Sequence, residues 1–453
     1  MKPAVSRLLE RRAFFRSAGM AAAGASAFSF ASERDAEAAL STVQTASKPS
    51  ELRISDLRVA VIAEAPMLCP IIRIDTNQGL SGYGEVRDGA SPTYALMLKS
   101  RLIGENPCNV DKVFRKIKQF GGHARQGGGV CAVEMACWDL AGKAYGVPVY
   151  QMLGGRFRDK VRLYADTTEV KDGHAQGLRL KERMDHGLTF LKVDVGVDLV
   201  ADVPGTVSRP VGQSVAQGGL VMHPFTGLEL TEKGAELMAE YVAKIREVIG
   251  MDVSLAADHF GHIGVNSCIR LGKALEKHNL AWLEDMVPWQ LPNLLKTIKD
   301  AVDVPILTGE DIYLKEDFVK LIELGAVDLI HPDLATAGGI LETKKIGDYA
   351  MERGIGMAMH FAGSPISFMA SVHCAAATEN VIALEHHSLE VPWWADLVAP
   401  APVIEKGFAV VPERPGLGVE PVEEVVKRHL KEPGYFAPTP QWDNERSWDR
   451  LWS

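Results

Sequence analysis

The sequence predicts an α/β protein, a (β/α)8 TIM barrel preceded by a separate α+β domain. Three observations predict it. Eight short apolar runs recur between about 161 and 387, separated by helical stretches, and repeating β-then-α units mean parallel strands. The segment before them runs strands first and helices second, the order of a separate α+β layer. Seven consecutive runs finish in ionisable groups, and a (β/α)8 barrel reacts at the carboxyl ends of its strands.

In chain order, residues 1–39 stand apart from the fold. Arg11 and Arg12 precede a small and apolar stretch from Ala18 to Ala31, and AEA follows at 36–38. A bilayer span needs about 20 apolar residues. A basic start, a modest apolar middle and an A-x-A site describe a cleaved export signal, here of twin-arginine type, which predicts a periplasmic protein with no membrane contact after cleavage. Cutting near Ala38 removes six basic and four acidic residues, which takes the net charge from −9 to near −11. Without a Lys/Arg run, a nucleic-acid partner is not expected, and a small anionic substrate needs a local positive charge. The six cysteines form no C-x-x-C and mostly sit in apolar segments, where buried free thiols are expected.

The α+β domain is expected over 40–160. Residues 52–62, 70–75 and YGEV read as strands, with turn chemistry in NQGLSG. The clearest helix is VCAVEMACWDLAGKAYG, with Val130, Val133, Cys137, Leu140, Ala141 and Ala144 on one face and Gly146-Val147-Pro148 as its stop. The barrel is expected over 161–400. Its strands read LYADT, FLKVDV, SLAADH, AWLED, PILTGE, VDLIHPD, GIGMAMH and VIALEHH. The remainder, 401–453, is expected to pack back on the α+β domain.

The strand ends carry the chemistry. Asp258, Glu284 and Glu310 are spaced 26 and 26 residues apart, about one β/α unit each, so three carboxylates converge from adjacent strands. They cannot all stay ionised together without a cation. An all-oxygen set favours Mg2+. Asp285, one residue past Glu284, is expected to point elsewhere, into a salt bridge. Asp333 and His360 end consecutive strands, and a carboxylate beside an imidazole fixes its tautomer and raises its basicity.

GLSGYGEV (79–86), AVEMACWDLAGKAYGVPVYQMLGG (132–155), the Asp258/Glu284/Glu310 ladder and PDLATAGGI (332–340) together resemble the mandelate racemase branch of the enolase superfamily, over about 52–400. The resemblance implies an N-terminal α+β capping domain on a modified (β/α)8 TIM barrel completed by C-terminal residues, Mg2+ on the three carboxylates, and a reaction that begins by removing the proton α to a carboxylate, giving an enediolate. It implies Asp333 and His360 as the catalytic dyad and Glu385 as the acid that hydrogen-bonds the substrate carboxylate. It also implies a small-molecule sugar acid or hydroxy acid as substrate, and a homo-oligomer.

Departures from the family pattern refine this. Where many members carry Lys-x-Lys, this chain has Lys192-Val193-Asp194. A nearby carboxylate favours protonated Lys192, a poorer base. One-sided chemistry follows: His360 takes the proton and a β-hydroxyl leaves, with Lys192 as a cation. Asp194 either binds a substrate hydroxyl or pairs with Lys192. The leading expectation is dehydration of a sugar acid to a 2-keto-3-deoxy acid. A racemase or epimerase, a cycloisomerase of an anhydro sugar acid, and a non-catalytic binding protein are the alternatives. From Lys192 to Asp258 is 66 residues, so an insertion at about 197–230 emerges on the catalytic rim, as a binding loop or an oligomer contact, with Thr231 capping the next helix. His223 is its candidate contact. His262 reads either as an acid that helps the hydroxyl leave or as a surface histidine. Trp393 either packs on substrate or closes the barrel, and Arg125 is a candidate contact from the cap.

Overall fold

The computed structural model describes residues 48–63, 65–209, 227–259 and 263–445, all within one compact unit, Ser47–Ser453. The expected export signal, the middle of the insertion, His223 and His262 lie outside the described residues.

The cap sheet has strands β1 (Ile54–Ile62), β2 (Cys69–Thr76) and β3 (Ser81–Glu85), antiparallel in that order. The turn between β2 and β3 places Gly79 at φ 78°. Helix α1 (Gly128–Tyr145) departs from the one-faced pattern expected of it. Val130, Val133, Cys137 and Leu140 face the cap core, while Cys131 and Met135 join the barrel core. Packed from both sides, the helix is apolar nearly all round. Its approach to β3 needs glycine: a Cβ on Gly84 would sit 2.0 Å from the Ala132 carbonyl oxygen.

Eight parallel strands close the barrel: β4 (Lys160–Thr167), β5 (Phe190–Asp194), β6 (Ser254–Asp258), β7 (Leu283–Glu284), β8 (Ile306–Thr308), β9 (Leu329–Ile330), β10 (Gly356–Met359) and β11 (Val381–His386), the last pairing with β4. The longer helices described between them are α2 (Gly173–Asp185), α3 (Glu232–Ile249), α4 (Val265–Leu275), α5 (Pro292–Lys299), α6 (Lys315–Leu324), α7 (Ile340–Met351) and α8 (Pro365–Ala376). Thr231 caps α3 as expected, its hydroxyl accepting from the Gly234 amide at 3.2 Å. The described ends of the insertion form a short antiparallel pair, Val207↔Leu230 and Ser208↔Glu229.

Inside the barrel, Tyr164, Phe190, Ala256, Trp282, Leu307, Ala358 and Ala383 form an apolar plug with one residue from nearly every strand. Side chains alternate along a strand, so the residue two further on enters the same lumen one layer up. That rule turns Tyr164 into Asp166, Phe190 into Lys192, Ala256 into Asp258, Trp282 into Glu284, Ala358 into His360 and Ala383 into Glu385. An ionisable layer therefore sits directly on an apolar one.

Three buried acids of the cap fasten it to the barrel. Glu85 accepts from the Ser364 and Ser367 amides at the start of α8, at 2.9 and 3.3 Å. Glu134 accepts from the Ile340 and Leu341 amides that open α7, at 2.7 and 3.0 Å. Asp139 accepts from the Tyr83 and Leu417 amides, at 3.0 and 2.8 Å. The chain then returns from the barrel to β1, where the Lys431 amide donates to the Val61 carbonyl at 2.8 Å. All six cysteines are free thiols.

Candidate active site

Glu284 has no exposed surface. Its Oε1 faces Lys192 Nζ at 3.3 Å and His331 Nε2 at 3.1 Å, and its Oε2 accepts from Trp282 Nε1 at 3.2 Å. Burial works against its charge, but His331 and Lys192 outweigh it and hold the carboxyl down at about 2. In parallel register Asp258 stands beside Glu284. Its carboxyl is pushed well above the usual range by burial and then by Glu284. Glu310 follows β8 by two residues. Glu284, Glu310 and His331 each offer a ligand atom, all within 4.8 Å of one another. Asp258 stands outside that group of three, but its carboxyl, raised by burial first and then by Glu284, marks a crowding of carboxylates that a hard divalent cation relieves.

Asp285 is not a salt-bridge partner among the described residues. Its Oδ1 accepts from Thr308 Oγ1 at 2.5 Å, and burial, then Glu310 and Glu284, push its carboxyl up to about 7. The strand end packs it among like charges, so a proton replaces the expected cation.

His360 Nδ1 lies 2.5 Å from Asp333 Oδ2. The other Asp333 oxygen accepts from the Ala335 amide at 2.6 Å, which fixes the carboxylate. His360 Nε2 turns toward the barrel axis, 3.0 Å from Glu310 Oε2 and 3.6 Å from Glu385 Oε2. The reactive nitrogen of the base candidate thus faces the carboxylate cluster, and the oriented one faces Asp333.

Lys192 is 2% exposed and meets Glu385 at 2.8 Å, Glu284 at 3.3 Å and Asp258 at 3.7 Å. Burial disfavours the ammonium, but Glu284 and Glu385 hold its pKa well above the ordinary lysine value. Asp194 is not its ion-pair partner among the described residues. Burial, Asp166 and Glu169 against Lys192 push the Asp194 carboxyl up to about 8. Glu385 stays ionised, with Lys192, His360 and His387 overcoming its burial. An ionised carboxylate only accepts. Beside its Oε1 lie Lys192 Nζ at 2.8 Å and His387 Nε2 at 3.4 Å.

Two contact candidates sit elsewhere. Trp393 stacks face to face on His429, ring centroids 3.6 Å apart, and so closes the barrel against the C-terminal segment. Arg125 pairs with Asp88 at 3.1 Å on the cap rim.

Four site residues were not singled out from the sequence: His331, Asp166, His387 and Arg87. The first three belong to the period-two lumen rows, as Leu329–His331–Asp333, Tyr164–Asp166 and Glu385–His387, and reading the whole row instead of each strand's last charge finds them. Arg87 enters from the cap. It is 1% exposed, pairs with Asp88 at 2.7 Å and with Asp333, and lies 3.4 Å from Glu310. No periodicity reports a residue that crosses from another domain.

Residues 40–154 match the mandelate racemase/muconate lactonizing enzyme N-terminal domain, and residues 178–425 match the enolase C-terminal domain-like family. The chain belongs to the mandelate racemase/muconate lactonizing enzyme family of the enolase superfamily. Within this family it is 34% identical over 374 residues to a D-xylonate dehydratase from Haloferax volcanii, covering 80% of this chain and 85% of the other. It is 27% identical to an arabinonate dehydratase from Saccharolobus solfataricus, covering 80% and 90%. A mandelate racemase/muconate lactonizing enzyme-like crystal structure from Rubrobacter xylanophilus superposes with a TM-score of 0.74 at 30% identity, covering 85% of this chain and 99% of that one.

Proposed function

We propose that this family member is a sugar-acid dehydratase, a lyase that removes the α-proton of a carboxylate substrate and expels its β-hydroxyl as water to leave a 2-keto-3-deoxy acid. The observation that carries the reading is the immobilised Lys192. Its ammonium lies 2.8 Å from Glu385, a carboxylate outside the proposed metal set, and paired there it serves as a fixed cation and not as a base. His360, oriented by Asp333, is then the base for the α-proton, and one-sided proton removal suits elimination better than racemisation. Relatives named as D-xylonate and arabinonate dehydratases support the same class.

Asp258, Glu284 and Glu310 would hold the metal, Mg2+ by their oxygen chemistry. When bound, it supplies positive charge to the carboxylate oxygens as negative charge moves onto them. Lys192 adds a second, fixed cation at the same end of the substrate. Asp333 keeps the His360 proton on Nδ1, so that Nε2 is free to accept the substrate's. Buried in a layer that excludes water, these charges act in a medium where each is worth more than in solution.

Incubating the protein with Mg2+ and D-xylonate, L-arabinonate, D-galactonate or D-mannonate, with NMR readout of keto-deoxy acid, tests the reading. A keto-deoxy product from wild type and none from His360→Asn supports it. An epimer without water loss would move the assignment to epimerase. Export is part of the proposal and rests on Arg11, Arg12 and the apolar run after them. N-terminal sequencing of protein from a periplasmic fraction should begin near residue 39, and an intact Met1 there would refute it.

A further inference from the structure

The ionisable layer holds a second imidazole–carboxylate pair that the reaction above leaves unused. His387 follows β11 and its Nδ1 lies 3.0 Å from Asp166 Oδ2 at the end of β4. Those strands are neighbours at the barrel closure. His387 Nε2 is buried, has no hydrogen-bond partner among the described residues, and lies 3.4 Å from Glu385 Oε1. The His360 Nε2 lies 3.6 Å from the other oxygen of that carboxylate. The two rings, 6.1 Å apart between centroids, therefore bring their Nε2 atoms to the two oxygens of one carboxylate. A general acid or base needs a heavy-atom contact of about 3 Å. Rings at this spacing reach neighbouring carbons of one substrate.

We propose that His387, oriented by Asp166, is the catalytic residue that protonates the departing β-hydroxyl, with Asp166 as its positioning residue. This rests on the dehydratase reading. His360 Nε2 takes the α-hydrogen as a proton. The electron pair left behind moves onto the substrate carboxylate, giving the enediolate; it then returns to form the Cα=Cβ bond as the Cβ–O bond breaks, and His387 gives its Nε2 proton to the leaving oxygen, making water. The enol becomes the ketone when His387 takes the proton of the C2 hydroxyl and His360 returns its proton to Cβ. Both rings end as they began, and nothing is oxidised or reduced.

Charge supports the assignment. Burial opposes a charged ring, but Asp166 and Glu385 outweigh it and hold the His387 imidazole up at about 10, so it carries a proton at neutral pH. His386, one residue earlier, is the contrast. Its ring packs on Phe368 and Trp394, and burial pushes its pKa down to about 3.

The test separates proton removal from hydroxyl loss. His387→Asn is incubated in D2O with Mg2+ and whichever of the four acids wild type dehydrates. The expected result is a fall in keto-deoxy product of at least about 100-fold, with deuterium still entering at Cα at a rate within several-fold of wild type. That retained exchange also shows the variant folded. Dehydration at the wild-type rate overturns the proposal, as does loss of exchange and dehydration together. Imidazole 15N NMR of the wild-type protein at pH 8 gives a readout independent of substrate. His387 should be an imidazolium there and should lose that state in Asp166→Asn. A neutral His387 at pH 7 overturns the proposal, because it would have no proton to give. A wild type that neither exchanges nor dehydrates any of the four acids sinks the dehydratase reading and this one with it. Dehydration by wild type and undiminished dehydration by His387→Asn sinks this one alone.

Discussion

Arg87 shows what a single side chain does when it crosses between domains. Its guanidinium compensates Asp88 and Asp333 in a place with almost no solvent. Removing one partner of a buried charge network leaves the others uncompensated, at a cost of about 3–5 kcal/mol. Arg87→Met should therefore lower stability by that order in urea melts, and should lower kcat more than it raises KM, because Asp333 loses the partner that fixes it. Unchanged stability would mean that water or another cation replaces Arg87. At the base, His360→Asn should lower turnover by about 10²- to 10⁴-fold. At this scale the sequence made part of the site legible. Asp258, Glu284, Glu310, Asp333, His360 and Glu385 stand out because each is a charge at the end of an apolar run. Asp285 was rightly kept apart from the ladder, but its partner was missed, since the sequence does not show that the Thr308 hydroxyl of the neighbouring strand meets it in place of a cation. Arg87 was out of reach, because its barrel partners, Glu310 and Asp333, are far from it in the chain.

The elements explain why the cap is held in place. Glu134 sits on α1 yet serves α7, where it accepts the Ile340 and Leu341 amides that have no partner within their own helix. Glu134→Ala should destabilise the fold by about 1–3 kcal/mol for the amides left unsatisfied. Denaturant unfolding checks this, and a loss below about 0.5 kcal/mol would show that water takes over both amides. The β/α alternation of the barrel was legible because each strand is a short apolar run followed by an amphipathic helix. Helix α1 was legible as a helix but not in its packing. Its second apolar face only makes sense once the barrel lies against it.

Over the whole molecule, the acidic layer should make stability depend on pH and on metal. The Asp194 carboxyl is raised from 3.8 to about 8 by burial, Asp166 and Glu169, against Lys192. The folded chain then keeps a proton that the unfolded chain has released. Stability from this group is full below about pH 4 and falls as pH rises toward about 8. Asp194→Asn should flatten the fall in Tm across that window in EDTA, and should be more stable than wild type at pH 8.5 by on the order of 2 kcal/mol. Adding Mg2+ to the wild-type protein should raise its Tm, because a ligand that binds only the folded state stabilises it. The central claim is narrower than any of these: His360 removes the α-proton of a sugar acid at this barrel mouth. The most direct measurement is deuterium incorporation, at Cα of recovered substrate and at Cβ of the keto-deoxy product, by NMR in D2O with Mg2+ and D-xylonate, for wild type and His360→Asn side by side. The account predicts deuterium-bearing substrate or keto-deoxy product from wild type and neither from the variant. Equal incorporation by the two proteins would contradict it, because the proton would then be leaving by another base.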